Sequence, residues 1–237
     1  MPLRVLITGG SSGIGRACAL RLAAEGHAIA LVARGEARLR DAESEIRSLP
    51  GVEPPLILPA DVRETAEIEA AVARATERFG GLDALVHSAG GARFLPLEQT
   101  TDAVWREVVG ANLEGLFRTV RAVTPRLRAS GGGRIIGVLS IASRRGFPNA
   151  TAYSAAKAGA LGFLDSLREE LRPDRIQVTA LLAGATATPL WDGIGGEWDR
   201  ARMMLPEQVA EVVVCALREE TSGTWEEIRV GPPGGVL

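Results

Sequence analysis

Basic charge in this chain comes from arginine at every position but one: of 27 Lys and Arg residues, the sole lysine is Lys157. Tyrosine is equally scarce, with Tyr153 the only one, and aromatic residues together make up 4% of the chain. The only cysteines, Cys18 and Cys215, both fall in helix-like segments. They are expected to be buried thiols, which excludes a disulfide framework or a zinc set and points to a reducing compartment. No apolar run approaches the roughly 18 residues of a membrane span. Met1-Pro2-Leu3-Arg4 leads straight into an apolar strand, with no room for a charged leader and cleavage site, so a cytoplasmic protein is expected. A net charge of −2, with Arg spread along the sequence, offers no basic patch to nucleic acid or an anionic membrane. Small-molecule work is the class that remains.

What is present centres on the two rarities. Tyr153 and Lys157 stand four residues apart in an Ala-rich stretch that favours helix, a spacing that puts both side chains on one face. A free phenol titrates near about 10, and a neighbouring ammonium favours its ionised form. Such a tyrosine is expected to give or take a proton near neutral pH. The plain alternative is a buried Tyr and a surface Lys one turn apart.

The remaining elements alternate strand and helix over 237 residues, enough for one α/β domain spanning 1–237. The segment from Arg4 to Thr8 reads as a buried strand, followed by a turn holding Gly9, Gly13 and Gly15 and a helix to about Glu25. Strand, glycine turn and helix N-terminus together form a cradle for a pyrophosphate. The next strand ends in Ala33-Arg34. An acid near that position would bind a ribose 2′-hydroxyl, whereas an Arg accommodates a 2′-phosphate, so NADP(H) is favoured and Glu36 keeps NAD(H) open. After the third strand, Asp61-Val62 offers a carboxylate either to an adenine amine or as the N-cap of the helix from Glu64 to Phe79. The fourth strand finishes in His87-Ser88-Ala89-Gly90, where His87 reads as a satisfied core imidazole. Asn112 and Gly115 interrupt a long helical signal from Thr101 to Ser130, which predicts a bend or a side-chain role. Ser140 ends the strand Arg134 to Ser140. After the sixth strand, Gly184 to Thr188 leads into residues 189–205, whose Trp and Met residues among glycines suggest a lid over a substrate. Phe94 and Phe147 are placed in the same pocket.

Taken in order, Thr8-Gly9-xxx-Gly13-x-Gly15, Asp61-Val62, Ala89-Gly90, Asn112, Ser140, Tyr153-xxx-Lys157 and Gly184-xxx-Thr188 resemble the short-chain dehydrogenase/reductase family over essentially the whole chain. Two departures stand out: His87-Ser88 replace the family's paired asparagines, and Ala183-Gly184 its Pro-Gly. The resemblance implies a Rossmann-like sheet of seven parallel strands in order 3-2-1-4-5-6-7, with helices on both faces. It implies a dinucleotide held by Gly9, Ser11, Ser12, Gly13, Ile14, Gly15, Arg34, Asp61, Val62, Ser88, Ala89 and Gly90, with Thr186 and Thr188 at the carboxamide. In the same pattern Tyr153 is the proton donor in carbonyl reduction and Lys157 lowers its pKa and bonds the ribose. Ser140 then binds the substrate oxygen, and Asn112 holds a water in a relay. The implied activity is NADPH-dependent reduction of a small carbonyl, or the reverse oxidation of an alcohol. A 3-oxoacyl-carrier-protein reductase and a non-catalytic dinucleotide sensor are the alternatives. Assembly as a homotetramer or dimer, through the long helices near 101–130 and 152–172, is likewise implied.

Overall fold

The computed structural model describes residues 2–195, 197–218 and 223–235. Seven strands, β1 (Arg4–Thr8), β2 (Ala28–Ala33), β3 (Leu56–Pro59), β4 (Ala84–His87), β5 (Gly133–Ser140), β6 (Ile176–Ala183) and β7 (Glu227–Val230), form one sheet. Every pairing is parallel and the order is β3-β2-β1-β4-β5-β6-β7. The central strands are near-continuous apolar runs because both faces of the sheet are covered. Alternate residues of β1 show this: Leu6 packs in one buried cluster, Val5 and Ile7 in the other.

The first cluster lies beneath α3 (Thr65–Phe79), α5 (Gly115–Ala129) and α6 (Thr151–Leu171). The second lies beneath α1 (Gly13–Ala24), α2 (Glu36–Arg47) and α7 (Pro206–Leu217). Chain order reverses between β1 and β4, so the connections leaving these neighbouring strands run to opposite faces of the sheet and open a crevice at their carboxyl ends.

The long helical signal resolves into α4 (Asp102–Val109), a single π-helical turn over Gly110–Glu114, and α5. The expected bend is therefore an inserted residue in the helix ladder, centred on Asn112. Cys18 is buried, but Cys215 is exposed on the outer face of α7, which corrects the expectation of two buried thiols. α7 presents one face to the sheet, and position 215 falls on the other.

Candidate active site

The crevice holds a cleft of about 380 Å³ lined by the β1–α1 turn, the ends of β2, β3 and β4, the π-turn, and the start of α6. Gly9 adopts φ +68, and a side chain there would drive into the Ser88 backbone at 2.8 Å, so the turn passes the end of β4 with nothing between. Ser12 stands at the N-cap of α1 without a side-chain cap bond, leaving the first amides of a 12-residue helix free to meet an anion. Gly9, Ser11, Ser12, Gly13 and Ile14 line the cleft, whereas Gly15 does not. Gly15 lies against Gly9 and allows α1 to close on the turn.

Arg34, Asp61, Val62, Ser88, Ala89 and Gly90 also line the cleft, joined by Arg38 and Arg63, which the sequence reading did not single out. Neither Arg34 nor Arg38 makes an ion pair among the described residues. Glu36 is instead bonded to Arg40 at 2.6 Å and is absent from the lining. Asp61 caps nothing: α3 begins at Thr65, one residue after its N-cap Glu64. Its carboxylate is gripped by Arg63 through Nε and Nη2 at 2.6 to 3.1 Å. Burial raises the Asp61 pKa, but the hydrogen bonds and charge of Arg63 outweigh it and hold the group below its ordinary value. The N-cap expectation is thereby corrected, because an arginine two residues on reaches the carboxylate first.

Tyr153 and Lys157 share a buried face of α6 and both line the cleft. Lys157 Nζ sits 5.8 Å from the centre of the Tyr153 ring and donates to the Val138 carbonyl at 3.2 Å. The Tyr153 hydroxyl faces the Ser140 side chain, at the carboxyl end of β5. Burial lowers the Lys157 pKa to about 8. Burial also raises that of Tyr153, opposed by the Ser140 side chain. The expected depression of the phenol pKa by its neighbouring ammonium is thus absent: desolvation wins, and the phenol holds its proton at neutral pH.

Asn112 is buried, and its Nδ2 donates to the carbonyls of Gly91 at 2.7 Å and Val108 at 2.8 Å. Its Oδ1 has no partner and faces Gly90, on which a side chain would meet Asn112 Oδ1 at 2.6 Å and Lys157 Nζ at 3.7 Å. His87 is half-satisfied: Nδ1 lies 3.0 Å from Thr8 Oγ1 while Nε2 is buried without a partner. Its pKa falls to about 3 through burial and the Lys157 charge, so it is neutral. Thr188 lines the cleft, but Thr186 is turned away, buried, and donates to the Gly184 carbonyl at 3.0 Å.

A glycine cradle at a free helix end, an unpartnered buried amide oxygen and two unpaired arginines are what a bound dinucleotide would use, and the residues present fit that group.

The comparisons agree with this geometry. The family model for the short chain dehydrogenase matches residues 4–198. The chain belongs to the short-chain dehydrogenase/reductase family. It is an oxidoreductase with the Rossmann-like sheet of that family. A putative ketoacyl reductase of Streptomyces coelicolor is 39% identical over 187 residues, covering 78% of this chain and 71% of the relative. The 3-oxoacyl-[acyl-carrier-protein] reductase of Thermotoga maritima is 30% identical over 98% of this chain and 96% of the relative. Among solved structures, an actinorhodin polyketide ketoreductase with NADPH superposes with a TM-score of 0.88 at 32% identity, covering 97% of each chain. Among the described residues, no helix is long and apolar enough to cross a membrane.

Proposed function

We propose that this dehydrogenase/reductase converts a small ketone or aldehyde to the alcohol with a reduced nicotinamide dinucleotide. The observation that carries this reading is the Tyr153 phenol, held protonated by burial and facing Ser140 and Lys157 in the wall of a cleft floored by the glycine turn. A protonated phenol is the form that donates to a carbonyl oxygen as charge grows on it, which favours the reductive direction. When bound, the dinucleotide supplies the hydride.

Ser140 steadies the substrate oxygen from the end of β5. Lys157, with its ammonium deep in the cleft, bonds the nicotinamide ribose and meets the growing negative charge near the phenol. Asn112 Oδ1 accepts from a water that bridges to Lys157, completing a path by which Tyr153 regains its proton. Thr188 takes the carboxamide, and residues 189–205 cover the substrate.

NADPH is preferred over NADH. Support comes from Arg34, just after β2, and Arg38, in the first turn of α2, two exposed cations in the cleft wall with no ion pair among the described residues, and from the engagement of Glu36 by Arg40. The NADPH held by the actinorhodin ketoreductase supports the same choice. A 3-oxoacyl group on a carrier protein is the second reading, favoured by the Thermotoga maritima relative and by Arg145, exposed beside Phe147 at 5.5 Å from the ring centre. Free thiols at Cys18 and Cys215 fit a reducing cytoplasm. The exposed faces of α5 and α6 fit assembly into a dimer or tetramer.

The test is Tyr153→Phe. Turnover of carbonyls is expected to fall by at least about 100-fold, while calorimetric titration still finds NADPH bound, and more tightly than NADH. Substantial residual turnover refutes the proton-donor role, and tighter binding of NADH refutes the cofactor preference.

A further inference from the structure

Aromatic residues number ten in this chain: five Phe, four Trp and one Tyr. Four of them meet in one cluster above the cleft. The Phe94 ring centre lies 5.9 Å from that of Tyr153, Trp198 stands edge-on to Phe94 at 6.4 Å, and Trp191 packs on Trp198 at 4.8 Å. A fifth, Phe147, packs against the same buried group as Phe94 and Tyr153. These residues come from separate segments of the chain, and each segment is tied in place by its backbone. Leu95 N donates to the Asn149 carbonyl at 2.7 Å, which binds the Phe94 loop to the Phe147 loop. Main-chain bonds from Ala187 N to Met204 O at 2.8 Å and from Met204 N to Ala185 O at 3.0 Å close the base of the segment carrying both tryptophans. Trp191 Nε1 donates to the Thr186 carbonyl at 2.8 Å, and an Arg200–Asp192 ion pair braces the loop across its width.

An apolar lid needs no such chemistry, since Leu, Ile and Met exclude water as well. Aromatic rings add a preference for other rings, edge to face or offset, beyond the area they bury. Phe94 and Trp198 are each half-buried, and the cluster reaches the site through the contact of Phe94 with Tyr153. We propose that the carbonyl substrate carries an aromatic ring, which joins this cluster against Phe94 and Trp198 while the carbonyl oxygen meets Tyr153. The inference rests on the carbonyl-reductase reading above and narrows its substrate class. In the reaction the carbonyl carbon accepts a hydride with its electron pair from the reduced nicotinamide, and the oxygen accepts the Tyr153 proton. The alcohol, secondary from a ketone and primary from an aldehyde, and the oxidised dinucleotide result.

The test uses 4-phenyl-2-butanone and 4-cyclohexyl-2-butanone, in which the ring is remote and the carbonyls are electronically alike. Simple burial predicts equal or better use of the cyclohexyl compound, which presents more apolar surface. Ring recognition predicts the reverse: kcat/KM for the phenyl compound higher by roughly three- to tenfold, the worth of one good aromatic contact. That advantage should disappear through KM in Phe94→Leu and in Trp198→Leu, the phenyl-to-cyclohexyl ratio of kcat/KM falling to about one in each variant. In parallel, 4-phenyl-2-butanol should perturb tryptophan emission of the wild type in a saturable titration, and that response should be lost in Trp198→Leu. A cyclohexyl preference, or an unchanged ratio in both variants, overturns the inference while leaving the reductase reading intact. Failure to turn over any carbonyl in a wide panel sinks the reductase reading itself. The emission titration then still decides ring binding, and no response to the aryl alcohol counts against it.

Discussion

At the scale of single residues, the unusual feature is a lysine placed where its charge is costly. Lys157 titrates near 8 because burial disfavours the ammonium, against an ordinary value of 10.5. The sign of the linkage follows. Below about 8 both folded and unfolded chains hold the proton, and the full penalty of burying the charge is present. Between about 8 and 10.5 the unfolded chain binds more protons than the folded one, so the contribution of Lys157 to stability becomes less unfavourable as pH rises. The shift corresponds to a penalty of about 3 kcal/mol, reduced by the bond to the Val138 carbonyl, itself worth about 1 kcal/mol. Lys157→Met keeps the shape of the stem and removes the charge. The dinucleotide-free variant should therefore be more stable than the wild type at pH 7 by roughly 1 to 2 kcal/mol, with the gap closing by pH 10. Urea unfolding at both pH values measures it. Equal or lower stability at pH 7 would mean that the ammonium is better solvated than its burial implies. Gained stability together with lost activity is the pattern expected of a residue retained for chemistry.

At the scale of elements, the π-turn is the device that sets the cleft's geometry. An α-helix running unbroken from Asp102 to Ala129 would rotate residue 112 away from its place, and the extra residue in the ladder keeps Asn112 buried against the β4–α4 loop. Through Nδ2 the side chain joins the Gly91 carbonyl of that loop to the Val108 carbonyl of α4. Asn112→Ala removes both donors and should cost about 1 to 3 kcal/mol, since buried carbonyls lose their partner. Faster amide exchange should be confined to the loop from Gly90 to Ala92, and exchange in the core of β5 should be unchanged. Loss of protection throughout the sheet would show that the asparagine supports the fold rather than the loop. This element was partly legible in the sequence, because Asn and Gly three apart are poor helix formers amid apolar residues. The Asp61–Arg63 grip was not legible: a carboxylate at a strand end fits a cap, a ligand contact or an ion pair equally well, and only the path of Arg63 decides among them. His87 was read as satisfied, yet only one of its two nitrogens finds a partner, because residue type fixes burial better than it fixes hydrogen bonding.

At the scale of the whole molecule, alternating strand and helix gave the α/β class, and the strand order with helices on both faces followed from the family resemblance, in agreement with the observed sheet. Contacts between distant loops, such as Phe94 with Trp198, carry no periodic signature and had to be seen. What one copy of the chain leaves open is the outer face of α6. Ala155, Ala158, Gly159 and Gly162 are all exposed there, a strip of small residues along which another helix can approach closely. Beside it Phe117 of α5 is 42% exposed, edge-on to Phe163 at 6.2 Å. Gly162 separates the two explanations of this strip. A Cβ added there meets nothing within 4 Å, so the isolated fold has room for a large side chain. Helix propensity alone favours arginine over glycine by somewhat under about 1 kcal/mol. A free-standing monomer should therefore tolerate Gly162→Arg or gain slightly from it. If α6 packs against a second copy, the same substitution drives a guanidinium into a closely packed apolar seam, and assembly should fail. Light scattering on size-separated protein is expected to show a multiple of 25.0 kDa for the wild type and a smaller species for the variant, with circular dichroism unchanged. An unaltered mass would place any assembly on another face, because no property internal to the subunit opposes the arginine at that position.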